Sequence, residues 1–403
     1  MRLTMRLTMR GAAVWVVLFT SICGAQSSRE NTDSVRKIDS AMESFVRSRD
    51  IAGAVTLVAK NGKVIHYSAV GFADIDRRRP MKTTSLFSVG PITQPIVATG
   101  IMILQDEGKL SINDCVSKYL PSFANLKLKN GEPVARELKI RECLSHTSGL
   151  QGKQRFSGSL KSAAEELATK PLAFQPRRHW KFGPGVNVAG RIIEVVSGQT
   201  LEAFLKEKIF DPLGMKDTTF QPSVKQLDRM ATLYRPRSSG LQVSLVPQYS
   251  SLGDLGQVVA ANPSGGLISH TRDLFRFYQM ILNRGVFRKE RIISAAAIRQ
   301  MLKTQKGAED TGFTPGSSWG LGWCLVREPQ GVTSMLSKGS FGHGGSYGTQ
   351  GWIDPKERTI YLLMIQSAKL KNGDDSKIRK KFQLVASQHL KTLRTEQKTA
   401  RAK

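Results

Sequence analysis

Apolar residues recur along the chain at spacings that assign most of its elements. Asp33 to Val46 reads as a helix, with Val35, Ile38, Met42, Phe45 and Val46 on one face. Two β-rich runs follow, Ala54 to Val58 and Val64 to Ala69, joined through Asn61-Gly62, a dipeptide that accepts the left-handed backbone of a tight hairpin turn. Ile92 to Gln105 is apolar on almost every side and gives way to Gly108, which predicts a helix enclosed in the core. Residues 110 to 250 are richer in loops and helices, including an amphipathic pair at Arg191 to Val196 and Leu201 to Ile209. Leu274 to Leu282 is helical and closed by Asn283 and Gly285. After Trp319 the pattern turns to strands, at Gly320 to Val326, Ser346 to Ile353 and Thr359 to Ile365. Lys377 to Leu393 then forms a last helix with Ile378, Phe382, Val385 and Leu393 facing inward. Strands near both ends with helices between them predict a sheet assembled from the two terminal segments and an inserted helical lobe.

The first residues carry a different pattern. Arg2, Arg6 and Arg10 precede the apolar run Gly11 to Ile22, which ends in Cys23-Gly24-Ala25. A basic stretch, a short apolar stretch and small residues before the cut describe a secretory signal peptide with cleavage after Ala25. The run is too short for a membrane-spanning helix, which needs about 20 apolar residues. Bulky Ile22 argues against lipid attachment at Cys23. The repeated Met-Arg-Leu-Thr leaves the start at Met1, Met5 or Met9 open.

Composition adds two constraints. Of the 403 residues, 40% are hydrophobic, enough for a large core, and this excludes disordered, collagen-like and mucin-like chains. The formal net charge of +28 points to nucleic acid, a membrane surface or an anionic polymer. Export takes nucleic acid off that list, and no element interleaves basic residues with stacking aromatics. The leader and the basic segment after Ala368 hold a minor share of the excess. The rest sits on the folded body and suits retention near an anionic envelope polymer such as a wall polymer, lipopolysaccharide or acidic polysaccharide. Cys115, Cys143 and Cys324 remain after cleavage, an odd set that reads as buried thiols with at most one pair bridged. His66, His146, His179, His270, His343 and His389 are scattered, with no C-x-x-C pair, no H-E-x-x-H and no phosphate-binding glycine loop, so neither a metal nor a cofactor is expected.

Several segments then match one another's order in a known family. Leu144-Ser-His-Thr-Ser-Gly-Leu150, the run from Ile209 to Thr218, the run from Gly265 to Leu274, and Gly342-His-Gly-Gly-Ser-Tyr-Gly-Thr-Gln-Gly-Trp352 resemble signatures of the serine hydrolases related to class C β-lactamases and low-molecular-weight penicillin-binding proteins. The resemblance covers about residues 33 to 366. It implies an α/β (α+β) fold of the β-lactamase/transpeptidase type, with an antiparallel sheet flanked by helices. The α/β lobe would come from residues 33–84 and 255–394, the helical lobe from 85–254, and a basic tail from 396–403.

The family's chemistry needs a serine at the start of the buried helix and a lysine three residues on to activate it. It also needs a tyrosine to shuttle the proton and a strand motif to close the site. Here the positions that follow Phe87 read Pro91 and Gln94 where the family has Ser and Lys, and the tyrosine position in the Trp180 to Gly190 segment is Phe182. Proline removes the hydroxyl and also the backbone N–H that serves the family as one of two oxyanion donors, alone worth about 10²- to 10³-fold in rate. Gln94 keeps the side-chain length without a base, and Phe182 keeps the ring without its oxygen. The helix itself should persist, since proline suits a first helical turn and Gly90 accepts the backbone before it. Ser88 and Thr93 are the nearby hydroxyls, but neither inherits the geometry, and each reads as a cap or packing group. His343, Gly344 and Gly345 retain the strand motif and, with Phe182 and Gln94, are the expected ligand contacts. His146 and Ser148 sit in a loop that resembles a structural one in the family. Two functions follow: a non-catalytic, exported binding or scaffold protein with a retained pocket for a wall peptide or ester-like ligand, or a working amide or ester hydrolase with a rearranged mechanism.

Overall fold

An eight-stranded antiparallel sheet organises the chain, and the chemistry-bearing helix lies against one of its faces. The computed structural model describes residues 36–153, 158–244, 261–345, 347–368, 370 and 376–402, with side chains through Thr392. The leader with Ala25, and also Val35 and Ser346, lie outside the described residues. We number the strands of the large sheet and the long helices in chain order. Helix α1 covers residues 36–47. Strands β1 (Gly53–Lys60), β2 (Lys63–Asp74) and β3 (Arg79–Pro80) come next, then α2 (Thr93–Asp106), α3 (Gly185–Ser197) and α4 (Thr271–Leu282). Strands β4 (Ser317–Trp319), β5 (Cys324–Val326), β6 (Phe341–Gly344), β7 (Gln350–Asp354) and β8 (Thr359–Met364) complete the sheet, and α5 (Lys377–Ala402) ends the chain. Their spatial order is β4-β5-β6-β7-β8-β1-β2-β3, so the C-terminal strand β8 pairs with the N-terminal strand β1 at the centre.

Both faces of that central pair are buried, and the pleat decides which side chain goes where. Ile360, Leu362 and Met364 of β8 join Val55, Leu57 and Ala59 of β1 in a core shared with α2, α3 and α4. Tyr361 and Leu363 point the other way with Ala54 and Val58, against Ile38 and Met42 of α1 and Ile378, Phe382 and Leu390 of α5. The result is a sheet held between a terminal helix pair and the helical lobe. The β1–β2 turn is closed by Asn61 at φ 51° and Gly62 at φ 79°, both left-handed as the sequence requires.

Three boundaries differ from the sequence expectation. Gly320 to Val326 is not one strand but a turn and β5, because Gly322 adopts φ 76° and Trp319 pairs back with Cys324. Gly320 also lies where a Cβ would sit 2.1 Å from the Met301 carbonyl. The strand expected from Ser346 begins at Gln350, since Gly345 N–H donates to the Thr349 carbonyl at 2.6 Å in a turn. Helix α5 passes Leu393 and runs to Ala402, so the expected tail is helical over most of its length. None of Cys115, Cys143 and Cys324 is bridged to another described residue. Cys143 and Cys324 are buried as expected, but Cys115 is only half-buried.

Helix α2 is buried without interruption from Thr93 to Leu104. Ile101 is fully enclosed there. Ile101→Ala should therefore lower the unfolding free energy by about 2–5 kcal/mol, the cost of a cavity that cannot fully collapse. Leu384→Ala, on the exposed side of α5, should change it by less than about 0.5 kcal/mol in the same urea titration.

Candidate functional site

The segment leading into α2 sets the site. Phe87 and Ser88 pair with Ser269 and Ile268 in a short antiparallel bridge, and Gly90 at φ 56° turns the chain into a 3-10 turn, Gly90–Ile92. Pro91 occupies that turn, where its missing N–H leaves no intrahelical bond unmade. Thr93 then caps the entry: its hydroxyl donates to the Gly90 carbonyl at 2.7 Å and accepts from the Leu267 N–H at 3.2 Å. Ser88 is fully buried in its short strand. Neither hydroxyl is presented to a cleft.

Gln94 lies three residues after Pro91, at zero exposure, inside a directed chain of hydrogen bonds. Gly183 N–H donates to His146 Nδ1 at 3.3 Å, which leaves the His146 proton on Nε2. Nε2–H then donates to Gln94 Oε1 at 3.0 Å, and Gln94 Nε2–H donates to the Ser264 carbonyl at 3.2 Å. Ser264 is itself anchored, its hydroxyl donating to Asn187 Oδ1 of α3 at 2.7 Å. A neutral amide, which accepts on one side and donates on the other, is the side chain this chain of bonds requires.

Aromatic rings close over these groups. His146 packs against Phe182 at a centroid distance of 4.3 Å and edge-on to Trp319 at 5.3 Å. Phe182 stacks on Phe313 at 5.8 Å, and Trp319 meets His343 edge-on at 5.2 Å. Trp180 completes the cluster, 5.3 Å from Trp319. His343 donates from Nδ1 to the Gly344 carbonyl at 2.8 Å, which leaves its buried Nε2 lone pair without a hydrogen-bond partner among the described residues. Beside it, the turn after β6 is latched to the nucleophile segment by the Thr349 hydroxyl, which donates to the Val89 carbonyl at 3.0 Å. Burial pushes His146 down to about 3, with the nearby His343 adding to the shift, and pushes His343 down to about 4.

The structure thus brings Pro91, Gln94, Phe182 and His343 into one neighbourhood. Pro91 and Phe182 are half-buried, whereas Gln94, His343, Gly344 and Gly345 lie in the interior, behind the rings. Sequence reading gave His146 a structural loop and missed that it is the direct partner of Gln94; it did not single out Ser264, Trp319 or Phe313. The Leu-Ser-His-Thr-Ser-Gly motif was the available signal for His146. Among the described residues no group of three or more His, Cys, Asp or Glu is placed to hold a metal.

This fold, with a buried helix whose start packs against a strand motif beside an inserted helical lobe, is the β-lactamase/transpeptidase architecture. A family model described as Beta-lactamase matches residues 38–386, and the chain belongs to that family. It is 27% identical to esterase EstB of Burkholderia gladioli over 369 residues, covering 82% of this chain and 90% of that one. It is 26% identical to penicillin-binding protein 4* of Bacillus subtilis, over 81% of this chain and 71% of the relative. In structure it is similar to EstCE1, a hydrolase with promiscuous acyltransferase activity, at a TM-score of 0.78 and 22% identity, covering 89% of this chain and 99% of that one.

The two site histidines predict a pH dependence. Their folded-state pKa values lie below the unfolded value of about 6.5, so the unfolded chain takes up protons first as pH falls. Stability should be level on this account above pH 7 and should decline from about pH 6.5 towards 4, by about 1.4 kcal/mol per pH unit per histidine. His343→Gln should reduce the slope of unfolding free energy against pH in that window by about one proton, measured by urea titration at several pH values. An unchanged slope would show that His343 is not held neutral.

Proposed function

We propose that the protein is an exported member of the β-lactamase family that has given up catalysis and serves as a binding or scaffold protein. Pro91 carries this reading. At the nucleophile position it supplies neither a hydroxyl to attack with nor an N–H to stabilise the oxyanion, so one substitution removes two components of the reaction. Gln94 supports it, because its amide is committed to His146 and Ser264 and offers no basic lone pair. Phe182 supports it too, as a hydrophobic ring packed among rings where the proton shuttle would stand. The leader sequence supports export, and no described helix is long and apolar enough to cross a membrane.

The ligand class we infer is a wall peptide or an ester-like small molecule, the latter supported by the esterase among the relatives. Such a ligand would first meet Pro91 and the half-buried edges of Trp180, Phe182 and Phe313, with Gln94 and His343 supporting them from behind. The excess positive charge supports a second partner, an anionic envelope polymer.

Labelling with a fluorescent penicillin and with a fluorophosphonate tests the loss of catalysis. The mature protein should form no covalent adduct with either reagent. The combined variant Pro91→Ser, Gln94→Lys, Phe182→Tyr should regain measurable acylation if the cleft is otherwise intact. An adduct on the unaltered chain, mapped by mass spectrometry to Ser88, Thr93 or another hydroxyl, would establish a hydrolase with a rearranged mechanism instead. A folded triple variant that stays unreactive would refute the intact cleft.

A further inference from the structure

Helix α5 spends its apolar side inside the molecule and turns a cationic side outward. Ile378, Phe382, Val385, Ala386 and Leu390 are buried against the sheet. Lys377, Lys380, Lys381, Gln388 and Lys391 are exposed at three- and four-residue spacing, and Leu384 is the one large apolar side chain among them, 39% exposed. No acidic residue lies on the helix before Glu396, and the sequence carries the basic spacing on with Arg394, Lys398 and Arg401 to a backbone that is helical through Ala402. At 1.5 Å per residue, Lys377 to Lys391 spans about 21 Å and Lys377 to Arg401 about 36 Å.

We propose that this ridge is a docking site for a linear polyanion of the acidic-polysaccharide class. Two observations select a chain-like partner over a bilayer. Among the described residues the helix has no apolar face left to insert, which an interfacial membrane helix needs. The exposed lysines are also arranged in a line along one side of a single helix, with Lys377 at its start paired to Asp50 at 3.2 Å. An extended chain can lie along the helix and neutralise one lysine after another. The ridge sits on the sheet face opposite α2, so binding there leaves the surface around Pro91 and Phe182 uncovered. The proposal refines the polymer partner named above and rests on that reading only for where the polymer is met.

The test measures binding of oligogalacturonate, by fluorescence anisotropy, to the mature protein over a range of salt concentrations. Removing the charges of Lys377, Lys380, Lys381 and Lys391 by Gln should weaken binding at low salt by about 30-fold or more. It should also lower the slope of log affinity against log salt by about 3. A matched quartet of exposed lysines elsewhere, Lys127, Lys129, Lys225 and Lys303 to Gln, should change affinity less than about threefold. Should the ridge quartet fail to fold by circular dichroism, Lys380→Gln with Lys381→Gln gives the same comparison at smaller amplitude. Equal losses in both quartets, no measurable binding, or tighter binding to phosphatidylglycerol vesicles or duplex DNA than to the oligosaccharide would each overturn the proposal. These outcomes are independent of the acylation assay, so failure of one reading is not failure of the other.

Discussion

A helix with no solvent face governs this molecule. From Thr93 to Leu104 every residue of α2 is buried, so each polar side chain on it must find its partner inside the protein, where an unpaired group costs about 1–3 kcal/mol. Thr99 returns its hydroxyl to the Pro95 carbonyl of its own helix. Thr93 spans the helix start and the strand before α4. Gln94 cannot satisfy itself locally and draws in two other segments, the loop of His146 and the backbone at Ser264. Gln94 is therefore a joint that ties α2 to the loop of His146 and to the segment ahead of α4.

The same burial explains why the altered residues suit each other. A lysine at 94 would bring a charged donor into an enclosed site, where an unpaired charge is costly. A glutamine brings no charge, and its two-sided hydrogen bonding matches a histidine donor on one side and a carbonyl on the other. Phe182 follows from the same logic, since a phenol hydroxyl among Trp180, Phe313 and Trp319 would need a partner of its own. Gln94 therefore sits in a neutral, packed interior, with Pro91 and Phe182 half-buried at its edge.

Much of the fold was legible because it rests on local rules. The Asn61-Gly62 turn, the all-round apolar character of α2 and the strand-like run at β8 each encode their geometry within a few residues, and the motif order pointed to the neighbourhood that Pro91, Gln94, Phe182 and His343 share. What escaped was set by distant contacts. The break between Trp319 and Cys324 depends on Gly320 lying against Met301, which no local pattern announces. The bond between His146 and Gln94 joins residues 52 positions apart, and the rings of Phe313 and Trp319 reach the site from beyond the helical lobe. The sequence also showed which side chains were missing but not that aromatic rings had closed over the places they left.

The directed hydrogen bonds through His146 give the altered state its own stability. Nδ1 accepts from Gly183, so Nε2 must carry the proton, and it faces position 94 as a donor. A lysine there has donors only, and the two N–H groups would oppose each other across about 3 Å. Relief requires moving the histidine proton to Nδ1, which breaks the bond to Gly183 on the loop that holds Phe182. Reintroducing the lysine alone would therefore disturb the very ring that stands at the tyrosine position. Glutamine at 94 and phenylalanine at 182 are thus coupled through one imidazole, so a change at either position is felt at the other.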